Sequence, residues 1–367
     1  MLKQYKLKDY KFRLIIWATA LSLLGIMVIG SAQKSVQTKQ FVGLGLGLFC
    51  MLIVSLIDYS WILNFYWITY TAGIAMLVLL RFIGTEVNGA TRWMDLGAFR
   101  FQPSDVMKII LILFYAKLFA KYEEHINSLK IIFLSLICLA PPLFLILRQP
   151  DLSTTIAIAL VFCVIFYIAG LSYKIVGGMI VLFVPAFVFL LGYLLQPGQT
   201  LLQGYQLERI LAWLRPEEHT AAAYQQTNSI IAIGSGQLYG KGLNNNIVSS
   251  VKNGNFIAEP QTDFIFAVAG EELGFLGCCI IVILELIIAI ECIRIGQKAR
   301  DMSGTIICCG MGALIFIQCF INICVATRLM PNTGIPLPFV SYGLTSLVSF
   351  FIGIGVVLNV GLQVRKY

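Results

Sequence analysis

The sequence predicts an all-α polytopic membrane protein with about ten transmembrane helices, both termini cytoplasmic and one long extracytoplasmic loop. Three observations predict it. Hydrophobic residues make up 59% and charged residues 12% of the 367 residues, with a mean hydropathy of +0.86, far too apolar for a soluble domain of this length. Apolar runs recur at roughly 17 to 25 residues, the length a helix needs to cross about 30 Å of hydrocarbon. Lys and Arg gather in alternate short connections, as they do on the cytoplasmic side of membrane proteins.

The expected spans are Leu14 to Gly30, Phe41 to Ile57, Trp61 to Phe82, Val106 to Ala120 and Ile131 to Leu147. Leu152 to Gly170, Ile175 to Leu195, Phe264 to Ile293, Thr305 to Ala326 and Gly343 to Val364 complete the set. Lys3, Lys6, Lys8, Lys11 and Arg13 precede the first span, and its end, Gly30-Ser31-Ala32, has the small residues of a signal-peptide cleavage site. Its apolar run exceeds the usual signal core of about 7 to 15 residues and many spans follow, so it reads as an uncleaved first helix. Lys117, Lys121 and Lys130, then Arg294, Lys298 and Arg300, then Arg365 and Lys366 fall on that same side. The opposite connections also carry Lys34, Lys39, Arg92, Arg100, Arg148 and Arg328, so the bias is incomplete. Much of the net charge of +8 is thus topological. No loop has the dense basic run with interleaved aromatics of a nucleic-acid surface, so no nucleic-acid partner is expected. All 10 cysteines lie in apolar segments and read as buried hydrophobes, with no disulfide framework. His125 and His219 are far apart and have no ligand pattern around them, so no metal site is expected from them.

Two outward regions carry the polar chemistry, approximately residues 84–102 and 196–262. The first contains Asn88-Gly89-Ala90-Thr91-Arg92-Trp93-Met94-Asp95, read as a turn-rich loop. In the second, Tyr205 to Leu214 places Leu207, Ile210, Leu211 and Leu214 on one helical stripe, with Glu208 and Arg209 opposite, as in a helix lying along the interface. Tyr224 to Ile233 then leads into Gly234-Ser235-Gly236-Gln237-Leu238-Tyr239-Gly240-Lys241-Gly242. That loop is either a flexible surface loop or a backbone cradle for an anion with Lys241 as its point charge.

At the entry to the fourth span, Ser104 reads as an N-cap, with Asp105 and Lys108 at i and i+3 on one helix face. They form either a local ion pair or, since a lysine there opposes the helix dipole, a site in which Lys108 serves a negative ligand. The eighth span opens on Glu259-Pro260-Gln261-Thr262-Asp263-Phe264, with a carboxylate at the mouth of an apolar run. Leu273 to Ile293 alone suffices to span, so Phe264 to Glu272 either projects by roughly 13 Å or lines a cavity, the latter being favoured. Glu271 and Glu272 then lie near the cavity floor or pair with an outer-loop arginine. Glu285 sits mid-span, where an isolated carboxylate costs at least about 2.5 kcal/mol and so is protonated, paired or turned to the bundle interior.

Six motifs in order make the chain resemble the SEDS family of bacterial cell-wall polymerases. They are Gly89-Ala90-Thr91-Arg92-Trp93; Gln102-Pro103-Ser104 with Lys108; Gln149-Pro150-Asp151-Leu152; Ile231 to Gly236; Thr262-Asp263-Phe264-Ile265-Phe266 with Glu271-Glu272-Leu273-Gly274; and Pro336 to Gly343. The wording of the last motif is most like the RodA-type elongation members, rather than the FtsW or SpoVE types. The resemblance covers the chain from the first span to Tyr367 and implies a single SEDS-type membrane domain, residues 1–367. It implies an inverting peptidoglycan glycosyltransferase that polymerises lipid II at the outer face of the plasma membrane, with a class B penicillin-binding transpeptidase as partner. The family's essential aspartate carries over to Asp263. Two positions depart from the family: Asp105 stands where Glu is common, and Leu344-Thr345-Ser346 follows Gly343 in place of Gly-Ser-Ser.

Joining a sugar diphosphate to a sugar hydroxyl requires a base for the hydroxyl and charge stabilisation for the leaving diphosphate. Asp263 is expected to be that base. Lys108, Arg92, Arg209 and Lys241 are expected to hold the diphosphate, with Trp93, Asp105 and Glu259 also among the substrate-binding residues. Diphosphate leaves readily, so one carboxylate suffices without a separate acid. A place in the first helical turn would lower the pKa of Asp263, whereas Glu259 and burial would raise it, and the sequence leaves both open. A Mg or Mn ion on the diphosphate, with Asp263 or Glu259 as ligands, is chemically reasonable but not required by the spacing. Two other classes remain: a lipid II flippase using Glu285, and a non-catalytic scaffold for the transpeptidase. Against the flippase, the sequence shows no pair of matched hydropathy halves or interrupted helices.

Overall fold

A computed structural model describes residues 10–87, 90–95, 97, 100–178, 181, 185, 192–193, 204–244, 254 and 256–363. In chain order its helices are α1 (Phe12–Ala32), α2 (Lys34–Leu56), α3 (Tyr59–Asn64), α4 (Tyr66–Ile83), α5 (Pro103–Lys121), α6 (Leu129–Arg148) and α7 (Leu152–Ile168). They continue as α8 (Gly204–Leu214), α9 (Thr220–Ser235), α10 (Ile265–Gln297), α11 (Met302–Ala326) and α12 (Leu344–Leu362). Most of the expected run Ile175 to Leu195 lies outside the described residues; the other runs are helical. Asp58, Ser128, Asp151 and Asp301 cap α3, α6, α7 and α11 through side-chain oxygens that accept backbone N–H bonds, so local sequence sets these starts.

Four expectations need correction. The third span is broken at Phe65, where φ −98° and ψ 18° leave the helical region, giving α3 and α4. α2 begins at Lys34 rather than Phe41, because the buried Gln40 amide finds partners: Nε2 donates to the Ser341 carbonyl (3.1 Å) and Oε1 accepts from Gly343 N (3.2 Å). The cap of α5 is Gln102, not Ser104, because Pro103 takes the first helical position, where its fixed φ and missing N–H cost nothing. The first outward region is not a turn-rich loop but a three-stranded antiparallel sheet of β1 (Thr85–Val87), β2 (Ala90–Asp95) and β3 (Arg100–Phe101). Thr85 pairs with Trp93 and Met94 with Phe101, so the ladder satisfies backbone groups that a loop at the membrane edge would leave unpaired.

The bundle centre is formed by α11 and α12. The most apolar windows of these helices are 72% and 83% buried, against 22% for α4. α12 packs along α2, and α11 lies between α10, α7 and α5. α10 is broken inside at Gly274 (φ 67°, ψ −166°), a conformation open essentially only to glycine. The segment 236–242 is docked on this break rather than lying free at the surface. Phe275 N donates to the Gln237 carbonyl (2.8 Å), and Lys241 N to the Glu271 carbonyl (2.9 Å), replacing bonds the helix has lost.

The stretch Phe264 to Glu272 does not project. Ile265, Ala267 and Ala269 are each 0% exposed, packed among α9, α11 and α1. Glu271 pairs with Lys241 at 2.8 Å, and the Glu272 Oε1 accepts from Ser31 Oγ at 2.5 Å. Glu285 faces the bundle interior, as its cost requires, and both of its oxygens lack a hydrogen-bond partner among the described residues.

A Gly274→Ala substitution meets both a forbidden φ/ψ and the backbone of Gly240. It is expected to destabilise the protein by about 2 kcal/mol or more, read as a lower thermal midpoint in detergent; an unchanged midpoint would contradict the docked break.

Candidate active site

The turn that precedes α10 is held by its carbonyls. Tyr342 N donates to the carbonyl of Gln261 (2.9 Å), Ser341 Oγ to that of Thr262 (2.7 Å) and Asn322 Nδ2 to that of Asp263 (2.8 Å). Three consecutive carbonyls are thereby fixed to α11 and to the segment before α12. The consequence is a correction: Asp263 lies outside the first turn of α10, whose cap is Phe264 and whose first residue is Ile265. Asp263 thus stands just ahead of the N-cap, where the dipole favours its anion less than within the first turn.

Gly334, at φ 70°, stands over this carboxylate. A Cβ there would lie 3.1 Å from Asp263 Oδ2 and 3.7 Å from Arg92 Nη1, so the two side chains converge on this glycine. Arg92 projects from β2. Its Nε donates to the Gln149 carbonyl (3.2 Å), Nη2 donates to the Pro150 carbonyl, and Nη1 lies 4.0 Å from Asp151 Oδ1. Asp151 is buried and also accepts from Thr154 N (3.2 Å) as the cap of α7. Arg209 reaches the same place from α8, Nη1 donating to the Asn332 carbonyl (3.4 Å), while Trp213 Nε1 donates to the Arg328 carbonyl (3.0 Å). The helix read as interfacial is thus docked on the segment after α11.

Burial pushes the Asp263 carboxyl up to about 6, and Asp151 and Glu259 add to the rise; the Arg92 and Arg209 guanidiniums pull against it. Burial wins, because two cations screened by their own carbonyl and carboxylate partners recover only part of the lost hydration. The result is an aspartate still ionised at neutral pH yet more basic than an ordinary one at about 3.9.

The expected site residues do not all converge. Asp263, Arg92, Arg209 and Glu259 share one electrostatic cluster, with Glu259 exposed on the rim and its Oε2 accepting from Gln261 Nε2. Trp93 follows Arg92 on β2, so strand alternation turns it to the opposite face. Lys241 is bound at Glu271, eight residues beyond Asp263 and about 12 Å along α10. Lys108 is buried in the bundle. Its Nζ lies 2.7 Å from Asp105 Oδ1 and donates to Gln318 Oε1 (3.0 Å), so the local ion pair is what the structure shows. Asp105 Oδ2 has no hydrogen-bond partner among the described residues.

Sequence reasoning did not single out Asp151, Gly334, Gln318 or Asn322 individually. Asp151 was legible within the Gln149-Pro150-Asp151 motif, and the two amides as polar residues four apart inside an apolar span.

Arg92→Met removes two charge-assisted bonds to carbonyls and is expected to destabilise the protein by about 2 kcal/mol or more. It also removes a cation from Asp263, so the carboxyl should titrate above about 6, followed by infrared absorption of the protonated form. A parent-like midpoint and titration would contradict both roles.

The chain matches the family model for cell cycle proteins of the FtsW, RodA and SpoVE type over residues 10–366. It is 36% identical over 292 residues to the peptidoglycan glycosyltransferase MrdB of Escherichia coli strain K12, spanning 79% of this chain and 76% of the relative. A chain from a peptidoglycan synthase complex, solved to describe structural coordination of polymerization and crosslinking, superposes with a TM-score of 0.77 at 27% identity, covering 96% of this chain and 97% of that one. The crystal structure of the rod shape determining protein RodA of Thermus thermophilus superposes with a TM-score of 0.70 at 25% identity, covering 98% of each. With the family model spanning nearly its whole length and the RodA architecture reproduced, this multi-pass membrane protein belongs to the FtsW/RodA/SpoVE, or SEDS, family.

Proposed function

We propose that this chain is a peptidoglycan glycosyltransferase that polymerises lipid II at the outer face of the plasma membrane in the service of cell shape. Its relatives' names support the reaction class, and one observation supports the place: Asp263, raised to about 6, at a turn shared with two guanidiniums. The substrate is undecaprenyl-diphosphate-linked disaccharide-pentapeptide. Asp263 takes the proton of the acceptor's 4-hydroxyl as that oxygen bonds to the anomeric carbon of the donor. The bond from this carbon to the diphosphate oxygen breaks, and undecaprenyl diphosphate leaves with its electron pair.

Arg92 and Arg209 are the cations placed to meet the developing diphosphate charge, since Asp263 feels both. Lys108 and Lys241 are each paired with a carboxylate, Asp105 and Glu271, and would meet a diphosphate through their remaining N–H donors. A divalent cation suits one arrangement. Among the described residues no three His, Cys, Asp or Glu side chains form a cation site, but Mg is commonly held by one or two carboxylates plus substrate phosphates. Asp263 or Glu259 would supply the carboxylate, and the ion would neutralise the departing charge. The synthase complex similarity supports a class B penicillin-binding transpeptidase as partner. Residues 1–367 would act as a single membrane domain, with the regions near 84–102 and 196–262 outside.

The test is polymerisation of purified lipid II by the solubilised protein with its co-expressed transpeptidase. Asp263→Asn is expected to lose at least 100-fold of the rate, within the roughly 10²- to 10⁴-fold that a positioned base contributes. Glycan chains made equally by both would remove Asp263 from the chemistry. Glu285→Gln is expected to polymerise like the parent, whereas a lost polymer there with Asp263→Asn silent would favour the flippase.

A further inference from the structure

α11 carries two primary amides one turn apart, Gln318 and Asn322, at 0% and 1% exposure. A buried amide is costly unless its donors are used. Gln318 Nε2 donates to the Pro336 carbonyl at 2.9 Å, and Asn322 Nδ2 donates to the neighbouring Ile335 carbonyl at 2.7 Å. Both thus hold the segment that carries Gly334. Asn322 alone also reaches the other side of the site, donating to the Asp263 carbonyl at 2.8 Å.

The acceptor of the same amide argues in the same direction. Asn322 Oδ1 is buried without a hydrogen-bond partner among the described residues. Leucine would fill this position without that penalty. An amide kept at such a cost is explained by its two donated bonds, which join the turn of Asp263 to the strand of backbone facing it.

We infer that Asn322 is a positioning residue, which ties the Asp263 backbone to the Ile335 segment and so fixes the carboxylate against Gly334 and Arg92. The inference rests on Asp263 being the base. With the tie released, the hold on the Asp263 carbonyl is lost while those at Gln261 and Thr262 remain, and the carboxylate gains freedom to move. Misplacement of about 1 Å in a reacting group is enough for roughly 100-fold in rate.

The test compares the parent, Asn322→Leu, Asn322→Ser and Asp263→Asn in the lipid II assay at matched folded amounts, with kcat and KM both followed. For Asn322→Leu, kcat should fall about 10- to 100-fold with KM within about twofold. Asn322→Ser keeps one hydroxyl donor and should lie between, which preserves the test where the leucine variant folds poorly. Parent-like kcat in folded Asn322→Leu, with Asp263→Asn inactive, would overturn this inference and leave the base standing. A rise in KM as large as the fall in kcat would make the role merely structural and also overturn it. An active Asp263→Asn would overturn the base and this inference together.

Discussion

Buried backbone that is not helical must find its hydrogen bonds inside the protein, and this constraint organises one whole end of the bundle. The segments after α6 and α11 and those before α10 and α12 are all irregular there, and each has dedicated donors. Arg92 serves the carbonyls of residues 149 and 150, and Gln40 clasps Ser341 and Gly343. Gln226 donates to the carbonyls of Val325 and Met330, and Ser229 to that of Ala326, closing the end of α11. Asn322, Ser341 and Tyr342 hold the turn of Asp263. Side chains that would be unremarkable in water are here the scaffold of the site.

The same enclosure sets the chemistry. Drawing the part-buried carboxylate of Asp263 away from bulk water raises its proton affinity, and the two guanidiniums pull against that rise. Arg92 is oriented by carbonyls and stands 4.0 Å from Asp151, whereas Lys108 and Lys241 lie 2.7 and 2.8 Å from their carboxylates.

Much of this was legible in the sequence because hydropathy and caps are local signals. The long apolar runs, the amphipathic Tyr205 to Leu214 and the carboxylate at Asp263 all follow from periodicity and position. What was misread depends on distant partners. The sheet at β1 to β3 is made by cross-strand pairing, the break at Gly274 by the docking of residues 236–242, and the early start of α2 by Gln40 reaching Ser341. The shift of Asp263 out of the helix has the same origin, since the acceptors fixing it belong to elements far along the chain. Asn322 was legible only as one of two amides four apart in an apolar span, because their partners lie far along the chain.

The most direct measurement is the pH dependence of lipid II polymerisation by the parent protein with its transpeptidase, at constant folded amount. A base raised by burial must lose activity as pH falls through its own titration, so the rate should halve near pH 6 and fall tenfold for each further unit. A rate that stays level down to about pH 4.5 would show an ordinary, solvated carboxylate or none at all, and would contradict the account of the site.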